Sequence, residues 1–305
     1  MSYYSTDGQD SLLNVAVYQE FRDGTYVDVG AHDGVTASNT KFFNESMGWK
    51  GLCIEPRAEL FEKLRENRPD DICEKIAISS YDSESEPFLD CSGYTDKLSG
   101  LTKHYHPFTV QRIAHESKEH EATSETTTTA VCPLQSLLDK HYIDHIHLLS
   151  VSVNGAEVNV LGSVDFSRTK VDVVVIRNSF GLGDCAARYL TLCGFIDITG
   201  GPREIIIMLN RGSMFGEQFQ KFVNEKMEEA KKQQAEKQAA EERAAIENSD
   251  DSIMNELIEN AVIEPAESSE DASEEPSKDA VDSAPSEETV VGPSMEDPKK
   301  TCDIA

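Results

Sequence analysis

Residues 25–40 read TYVDVGAHDGVTASNT, the most informative stretch of the chain for its architecture. A short apolar run meets a loop that holds Gly30 and Gly34, and Ser38 or Asn39 then suits the cap of a following helix. Glycines let the backbone turn tightly and approach a ligand closely, because no Cβ intrudes. The order of strand, glycine turn and helix predicts the first unit of an α/β sheet, with a ligand beyond the carboxyl end of its strand.

The same alternation continues along the chain. Near-continuous apolar runs favour strands that are buried on both faces, as in a parallel sheet. Amphipathic stretches at 57–67, directly after Pro56, and at 184–193 predict helices between them. The pattern as a whole predicts a doubly wound α/β domain with right-handed crossovers. Strands are expected at 25–29, 51–54, 74–78, 146–152, 171–176 and 204–209.

Residues 91–130 interrupt the alternation. They contain Gly, Ser and His, and four consecutive threonines at 126–129. A loop of this length inside a compact domain is usually a lid or a binding loop, or is disordered. The sequence therefore predicts an irregular segment that contacts a ligand or carries no fixed structure.

The C-terminal part of the chain has a different composition. Residues 217–247 are rich in Glu, Lys, Gln and Ala, which favours a solvated helix over a coiled coil because apolar residues are too sparse for heptads. From Asn248 to Ala305 there are 17 acidic and 3 basic residues, and this segment is expected to be a disordered tail that binds a protein partner or aids solubility. The predicted divisions are 1–212, 213–247 and 248–305.

Charge and cysteine usage restrict the partners and the compartment. A net charge of −28 argues against a nucleic acid or an anionic membrane as the main partner. No apolar stretch approaches the roughly 20 residues of a membrane span, and no secretory signal is recognised. The seven cysteines form no CxxC pair, which indicates reduced thiols and a cytoplasmic protein. A Cys53–Cys73 disulfide is an alternative only in an oxidising compartment.

A second acidic residue indicates the kind of ligand. Glu55 follows the next predicted strand, 25 residues after Gly30, where a carboxylate accepts the ribose hydroxyls of a nucleoside cofactor. A dinucleotide site prefers G-x-G-x-x-G, and Asp33 would repel a diphosphate. Asp28 and Asp33 instead suit the cationic methyl donor S-adenosyl-L-methionine. The glycine spacing taken alone also fits an ordinary turn with a solvated acid.

Residues 26–56, YVDVGAHDGVTASNTKFFNESMGWKGLCIEP, resemble the FkbM-type methyltransferases, a family of S-adenosyl-L-methionine-dependent enzymes. Further matches include Cys73, Ser99-Gly100-Leu101 and LGSVDF at 161–166, so the resemblance covers about residues 5–210. It implies a mostly parallel, seven-stranded class I methyltransferase (Rossmann-like) sheet, and O-methylation of a sugar or another small polar acceptor. It also implies a set of cofactor-binding residues: Asp28, Gly30, His32, Asp33, Gly34, Asn39, Thr40, Glu55, Pro56, Ala77 and Ile78.

The resemblance fails around the reacting group. Where the family usually reads L-S-I-D-x-E-G-x-E, this chain has Ser152 and Asn154 in place of two acids, and Arg177 stands where an acid commonly follows the fifth strand. His32, Ser152 and Asn154 are the candidate catalytic residues, since polar groups there would position donor and acceptor. Two function classes stay open: an enzyme with an altered acceptor site, and a pseudo-enzyme that acts as a binding or regulatory module.

The other histidines give weaker signals. His104 and His106 are alternative general bases, although exposed loop histidines are common. His145 and His147 lie two residues apart on one strand face, a spacing that suits a metal, but the sequence shows no third ligand. No metal site is therefore predicted.

Overall fold

The computed structural model of the protein describes residues 2–178, 181–200 and 203–261. By their internal contacts the residues group into two units, Met1–Met227 and Glu228–Ala305. The first unit contains all the described strands, and the described part of the second unit is helical. The tail predicted at 248–305 is helical as far as residue 261, and residues 262–305 lie outside the described part of the chain.

Helices alternate with strands through the first unit. In chain order the helices are α1 (Gln9–Leu12, continued by a π-helical stretch, Leu13–Tyr18), α2 (Lys41–Met47), α3 (Ala58–Asn67), α4 (Pro107–Glu119), α5 (Leu134–Lys140), α6 (Glu157–Gly162), α7 (Leu182–Leu192) and α8 (Met214–Ala261). Two short 3₁₀ helices cover Gly93–Leu98 and Thr102–His104. The helices predicted at 57–67 and 184–193 correspond to α3 and α7.

The strands form two sheets. They are β1 (Thr25–Val29), β2 (Lys50–Ile54), β3 (Ile72–Glu74), β4 (Ala77–Ile78), β5 (Ser83–Cys91), β6 (Gly100–Leu101), β7 (Ser124–Cys132), β8 (His145–Val151), β9 (Lys170–Arg177), β10 (Phe195–Asp197) and β11 (Ile205–Asn210).

The larger sheet has seven strands in the order β10-β11-β9-β8-β1-β2-β3. Neighbours from β9 to β3 pair in parallel, whereas β11 runs antiparallel to both β9 and β10. The register places Val27 opposite Leu52 on one side and Leu149 on the other. The predicted doubly wound, mostly parallel, seven-stranded sheet is confirmed.

Both faces of this sheet are buried, as the apolar runs predicted. Alternate residues of β1 point to opposite faces, so Val27 joins one core cluster and Tyr26 joins the other. The second cluster is rich in aromatic rings, among them Trp49 and Phe215. Because Phe215 is fully buried, the first turn of α8 belongs to the core of the first unit.

The strand predicted at 74–78 is wrong as a single element. β3 ends at Glu74 in the large sheet, and β4 begins at Ala77 in the second sheet, where it pairs with β7. The chain changes sheets across Lys75 and Ile76. A continuous run of strand-forming residues gives no sign of such a change, because each strand separately satisfies the same local pattern.

The irregular segment predicted at 91–130 is also wrong. The second sheet, in the order β4-β7-β5-β6, takes in β6 and β7, and α4 lies between these two strands in the chain. β5 and β7 pair antiparallel, with Phe88 opposite Thr127. The sequence did not predict these two strands, because they lack an apolar run. Much of each strand is exposed to solvent, and the sequences SESEPFLDC and SETTTTAVC are mostly polar. Threonine is β-branched, so the run at 126–129 favours a strand.

None of the helices in the described part of the chain is both long enough and apolar enough to cross a lipid bilayer.

Candidate functional site

A cavity lies at the carboxyl ends of β1, β2, β8 and β9. The strand order reverses at this point, because β2 flanks β1 on one side and β8 flanks it on the other. Loops that leave such neighbouring strands diverge and leave a crevice. Residues of the second sheet, such as Phe88 and Leu101, cover it. The cavity contains about 990 Å³ of empty space, part of it open to solvent.

Most of the predicted site residues line this cavity. Three do not: Asp33, Gly34 and Thr40 lie behind the lining and support it. Arg177 also lines the cavity, as do several residues that the sequence did not single out, including Asp96, Lys97 and Val153. The predicted residues in the lining are Asp28, Gly30, His32, Asn39, Glu55, Pro56, Ala77, Ile78, Ser152 and Asn154.

Gly30 forms the floor of the cavity between two strand ends. Its φ is 81°, in the region that favours glycine, and its N–H donates to the carbonyl of Ile54 at 2.9 Å. A Cβ at this position would lie 2.2 Å from the carbonyl oxygen of Ser152. No other residue type fits there without moving the loop that follows β8.

Asp28 is a buried carboxylate at the carboxyl end of β1. It is 4% exposed and accepts a hydrogen bond from the Thr40 hydroxyl at 2.7 Å. Burial raises the pKa of Asp28, and the hydrogen bond from Thr40 and the positive charge of Arg68 oppose that shift. Thr40 therefore holds the Asp28 carboxylate from behind the cavity lining.

Arg68 is the main support behind the turn, and the sequence did not identify it as such. It is buried, and its guanidinium donates to the carbonyl of Gly34 at 2.7 Å and to the hydroxyls of Ser38 and Thr40, each at 3.0 Å. The Ser38 hydroxyl in turn accepts from the N–H of Lys41 at 3.1 Å, at the start of α2. Buried arginine needs this many partners to offset its desolvation.

Asp33 closes the turn and does not face the ligand. Its carboxylate accepts from the N–H groups of Val35 and Thr36, at 2.9 and 2.7 Å, and from the Thr36 hydroxyl. Partial burial opposes ionisation, yet these hydrogen bonds lower the pKa of Asp33 to about 2. Of the two acids that the sequence placed beside a cofactor, Asp28 and Asp33, only Asp28 lines the cavity.

Glu55 is buried directly after β2, and each of its carboxylate oxygens accepts a hydrogen bond from one backbone N–H group. It accepts from the N–H of His32 and from the N–H of Arg57, both at 3.0 Å. Burial raises its pKa, against the effect of these two hydrogen bonds. Because each oxygen has a second lone pair, the carboxylate can still accept two hydroxyl groups from the cavity side.

The 3₁₀ helix Gly93–Leu98 and the residues just after it form a roof over the cavity. Arg57 holds the start of this roof, because its guanidinium pairs with Asp90 at 2.6 Å and donates to the carbonyls of Cys91 and Asp96 at 2.6 and 3.1 Å. His32 Nε2 lies 3.2 Å from the carboxylate of Asp96. These contacts join the turn after β1 and the end of β2 to the second sheet.

Asn154 ties the other end of the roof to the loop after β8. Its side-chain amide donates to the carbonyls of Lys97 and Ser99, at 2.8 and 2.9 Å. Its φ is 54°, a backbone conformation that asparagine adopts more readily than most residues. A glutamate at this position, which the family resemblance implies, offers no donor to these two carbonyls. Asparagine therefore fits the local geometry through its amide donor.

His32 has no ring nitrogen available for the cavity. Nε2 faces Asp96, while Nδ1 lies 3.5 Å from the Asp33 carboxylate and is buried without a hydrogen-bond partner. The histidine φ of 55° places the ring between these two acids. In this geometry His32 connects the turn to the roof.

The other candidate bases lie outside the cavity lining. His104 Nε2 is 3.3 Å from the Ser79 hydroxyl, and burial lowers its pKa. His106 caps α4, where its Nδ1 accepts from the N–H of Phe108 at 3.2 Å. Neither contact directs a ring nitrogen towards the site.

The structure adds a third residue to the two histidines on β8. His145, His147 and Asp172 place ligand-type atoms within 4.8 Å of one another. However, His147 Nδ1 accepts from the N–H of Thr25 at 2.9 Å, which leaves its proton on Nε2, and burial lowers its pKa to about 4. His145 Nε2 lies 2.7 Å from Asp172. One ring nitrogen of each histidine is therefore engaged in a hydrogen bond.

The fold and the cavity define a class I methyltransferase-type domain. A family model described as the methyltransferase FkbM domain matches residues 28–196, more than half of the chain. The chain belongs to this family, which confirms the resemblance seen in the sequence, and membership implies S-adenosyl-L-methionine as the donor. A comparison with curated proteins found no match.

Solved methyltransferase structures show weaker similarity. A TehB-like S-adenosylmethionine-dependent methyltransferase from Corynebacterium glutamicum is 9% identical, with a TM-score of 0.34 over 68% of this chain and 89% of that one. A precorrin-6y C5,15-methyltransferase from Geobacter metallireducens is 12% identical, with a TM-score of 0.33 over 66% and 87%.

The tie made by Asn154 gives a first prediction. Asn154→Asp keeps the shape of the side chain but replaces the donating amide by an oxygen that repels two carbonyl oxygens. We expect the free energy of unfolding in urea to fall by ~1–3 kcal/mol, since two part-buried carbonyls lose their donor. Binding of S-adenosylhomocysteine should weaken as well. Asn224→Asp, on an exposed face of α8, is the matched control. An Asn154→Asp protein as stable as that control would contradict the tie.

Proposed function

We propose that this chain is an S-adenosyl-L-methionine-dependent methyltransferase that O-methylates a sugar or another small polar acceptor. The observation that carries the proposal is the pair of buried carboxylates, Asp28 and Glu55, at the neighbouring ends of β1 and β2 in one cavity. The cofactor would supply a methyl group on a sulfonium centre. The same cysteine pattern that suggests reduced thiols supports a cytoplasmic location.

The donor half of the cavity fits this cofactor. Glu55 keeps a free lone pair on each oxygen for the ribose hydroxyls, and Ala77 and Ile78 provide an apolar wall for the adenine. Asp28 supplies a buried negative charge that favours a cationic ligand. Gly30 lets the loops after β1 and β8 approach each other closely at the floor of this half. An enclosed, partly apolar cavity with a few convergent polar groups is typical of cofactor sites.

The acceptor half lies at the ends of β8 and β9. Methyl transfer is an in-line displacement, so alignment of the acceptor hydroxyl contributes more than any single residue. The Ser152 hydroxyl and the loop that follows it line this half, and the roof excludes water from one side. A general base would add to the rate, but the ring nitrogens of His32 both face carboxylates.

One observation favours the second candidate, a pseudo-enzyme. The residues that replace the family's acids lie together at this half, and the Asn154 amide is fully engaged by backbone carbonyls. A domain of this kind would bind the donor and transfer nothing. Its role would then be binding or regulation.

Donor binding is tested by removing each carboxylate's charge. Asp28→Asn and Glu55→Gln should each weaken the binding of S-adenosylhomocysteine by ~1–3 kcal/mol in calorimetric titrations, since each loses charge-assisted hydrogen bonds. Glu62→Gln, on the exposed face of α3, should bind like the wild type. A clear binding signal with NAD, and none with S-adenosyl-L-methionine or S-adenosylhomocysteine, would refute the proposal.

Ser152→Asp decides between enzyme and pseudo-enzyme without disturbing Asn154. Methyl transfer from labelled donor is measured over a panel of sugars, polyols and phosphorylated sugars. If the chain is a working enzyme, the wild type should transfer methyl groups to at least one acceptor. Ser152→Asp should then be slower, because the acceptor site is adjusted to the uncharged serine hydroxyl. A wild type that binds donor but transfers nothing, with turnover gained in Ser152→Asp, would establish the pseudo-enzyme.

A further inference from the structure

We propose that the acceptor is an anion, carrying a carboxylate or a phosphate group that Arg177 and Lys97 bind. This inference rests on the proposed function and specifies the substrate class of its site. It starts from the charged residues of the cavity lining.

Arg177 is the last residue of β9 and lines the cavity at the acceptor half. Within the described part of the chain it makes no ion pair and no side-chain hydrogen bond. Neither Glu157 nor Asp184 screens this charge, because both carboxylates have other partners. Glu157 accepts from the N–H of Gly155 with both oxygens, at 3.1 and 2.9 Å, and Asp184 pairs with Arg203 at 2.8 Å.

Lys97 supplies a second positive charge from the roof. Its carbonyl is held by Asn154, which fixes the backbone over the acceptor half, and the residue lines the cavity. Among the described residues no carboxylate lies within ion-pair distance of its ammonium group. The neighbouring Asp96 is bound to His32 instead. Lys97 and Arg177, both solvent-exposed residues, therefore line this cavity without acidic partners among the described residues.

The cavity lining contains three carboxylates, and one of them, Asp96, lies in the roof beside Lys97 and faces His32. Asp28 and Glu55 are at the ends of β1 and β2, and each is held by hydrogen bonds behind the lining. The third lining cation, Arg57, pairs with Asp90, so among the described residues Lys97 and Arg177 are the cations of the lining without an acidic partner. The family resemblance implies acids at positions 152, 154 and 177, where this chain has Ser152, Asn154 and Arg177.

An anionic acceptor explains this arrangement in physical terms. A cation beside a sulfonium centre is unfavourable in a partly enclosed cavity unless a negative group lies close to both. The planar guanidinium of arginine matches a carboxylate or a phosphate with two parallel hydrogen bonds. An anion bound there offsets the charge of Arg177 and places the acceptor next to the donor. The carboxylate of the methyl donor could bind Arg177 in place of an anionic acceptor. The experiment below distinguishes these two ligands of Arg177.

The test uses two small anions as probes of the full-length protein saturated with S-adenosylhomocysteine. Inorganic phosphate is titrated by ³¹P line broadening and acetate by ¹³C line broadening, at constant ionic strength, which distinguishes phosphate from carboxylate recognition. We expect saturable binding of at least one anion to the wild type. Arg177→Gln should weaken it tenfold or more and Lys97→Gln to a smaller extent. Arg188→Gln, on an exposed position of α7 outside the cavity lining, is the matched control and should bind the anion as the wild type does.

Separate measurements of S-adenosylhomocysteine affinity distinguish this inference from the proposed function. The inference predicts that Arg177→Gln changes that affinity less than twofold. It is overturned if neither anion binds, if Arg177→Gln binds them as well as Arg188→Gln does, or if Arg177→Gln loses S-adenosylhomocysteine, which would assign Arg177 to the donor's carboxylate. A wild type that fails to bind S-adenosylhomocysteine at all contradicts the proposed function instead.

Discussion

At the floor of the cavity the backbone of Gly30 lies so close to the Ser152 carbonyl that an added Cβ would be 2.2 Å from that oxygen. This close approach depends on glycine and on its positive φ. It lets the chain leave β1 in one direction while the chain after β8 leaves in the other. The crevice between these two loops holds the site. Asp28 reaches the crevice from the strand end before Gly30, and Glu55 reaches it from the next strand along.

A second constraint is the attachment of the small sheet over this crevice. The roof is held at one end by Arg57 and His32 and at the other by Asn154, through contacts of 2.6–3.2 Å. These side chains come from the loops after β1, β2 and β8, so the parts of the large sheet that surround the cavity also position its cover. Substitutions in these loops should therefore affect both stability and ligand binding. The same ties leave the side chains of Lys97 and Arg177 as charged groups of the lining that have no acidic partner among the described residues.

The sequence predicted the features that depend on local pattern. The glycine turn and most of the apolar strands follow from residues close together in the chain, and the family resemblance supplied the strand number. The predicted cap of α2 at Ser38 or Asn39 is wrong, because the helix has its N-cap at Thr40. The second sheet was missed because β5 and β7 are largely solvent-exposed and polar. The change of sheets between Glu74 and Ala77 was missed because it leaves the local pattern unchanged. The tie from Asn154 joins a side chain to backbone carbonyls 55 and 57 residues away, and carbonyls carry no sequence signal. Asp33 was placed at the ligand because an acid next to a glycine turn does not reveal whether it faces the cavity or closes the turn.

If the donor binds at the carboxyl ends of β1 and β2 beneath the roof, the ligand should slow amide hydrogen exchange around the cavity. Exchange of the wild type is measured with and without saturating S-adenosylhomocysteine. We expect slower exchange in peptides that cover residues 28–40, 54–56 and 96–101, with no change across 217–241. Protection confined to other parts of the chain, in a sample where calorimetry shows the ligand bound, would contradict it.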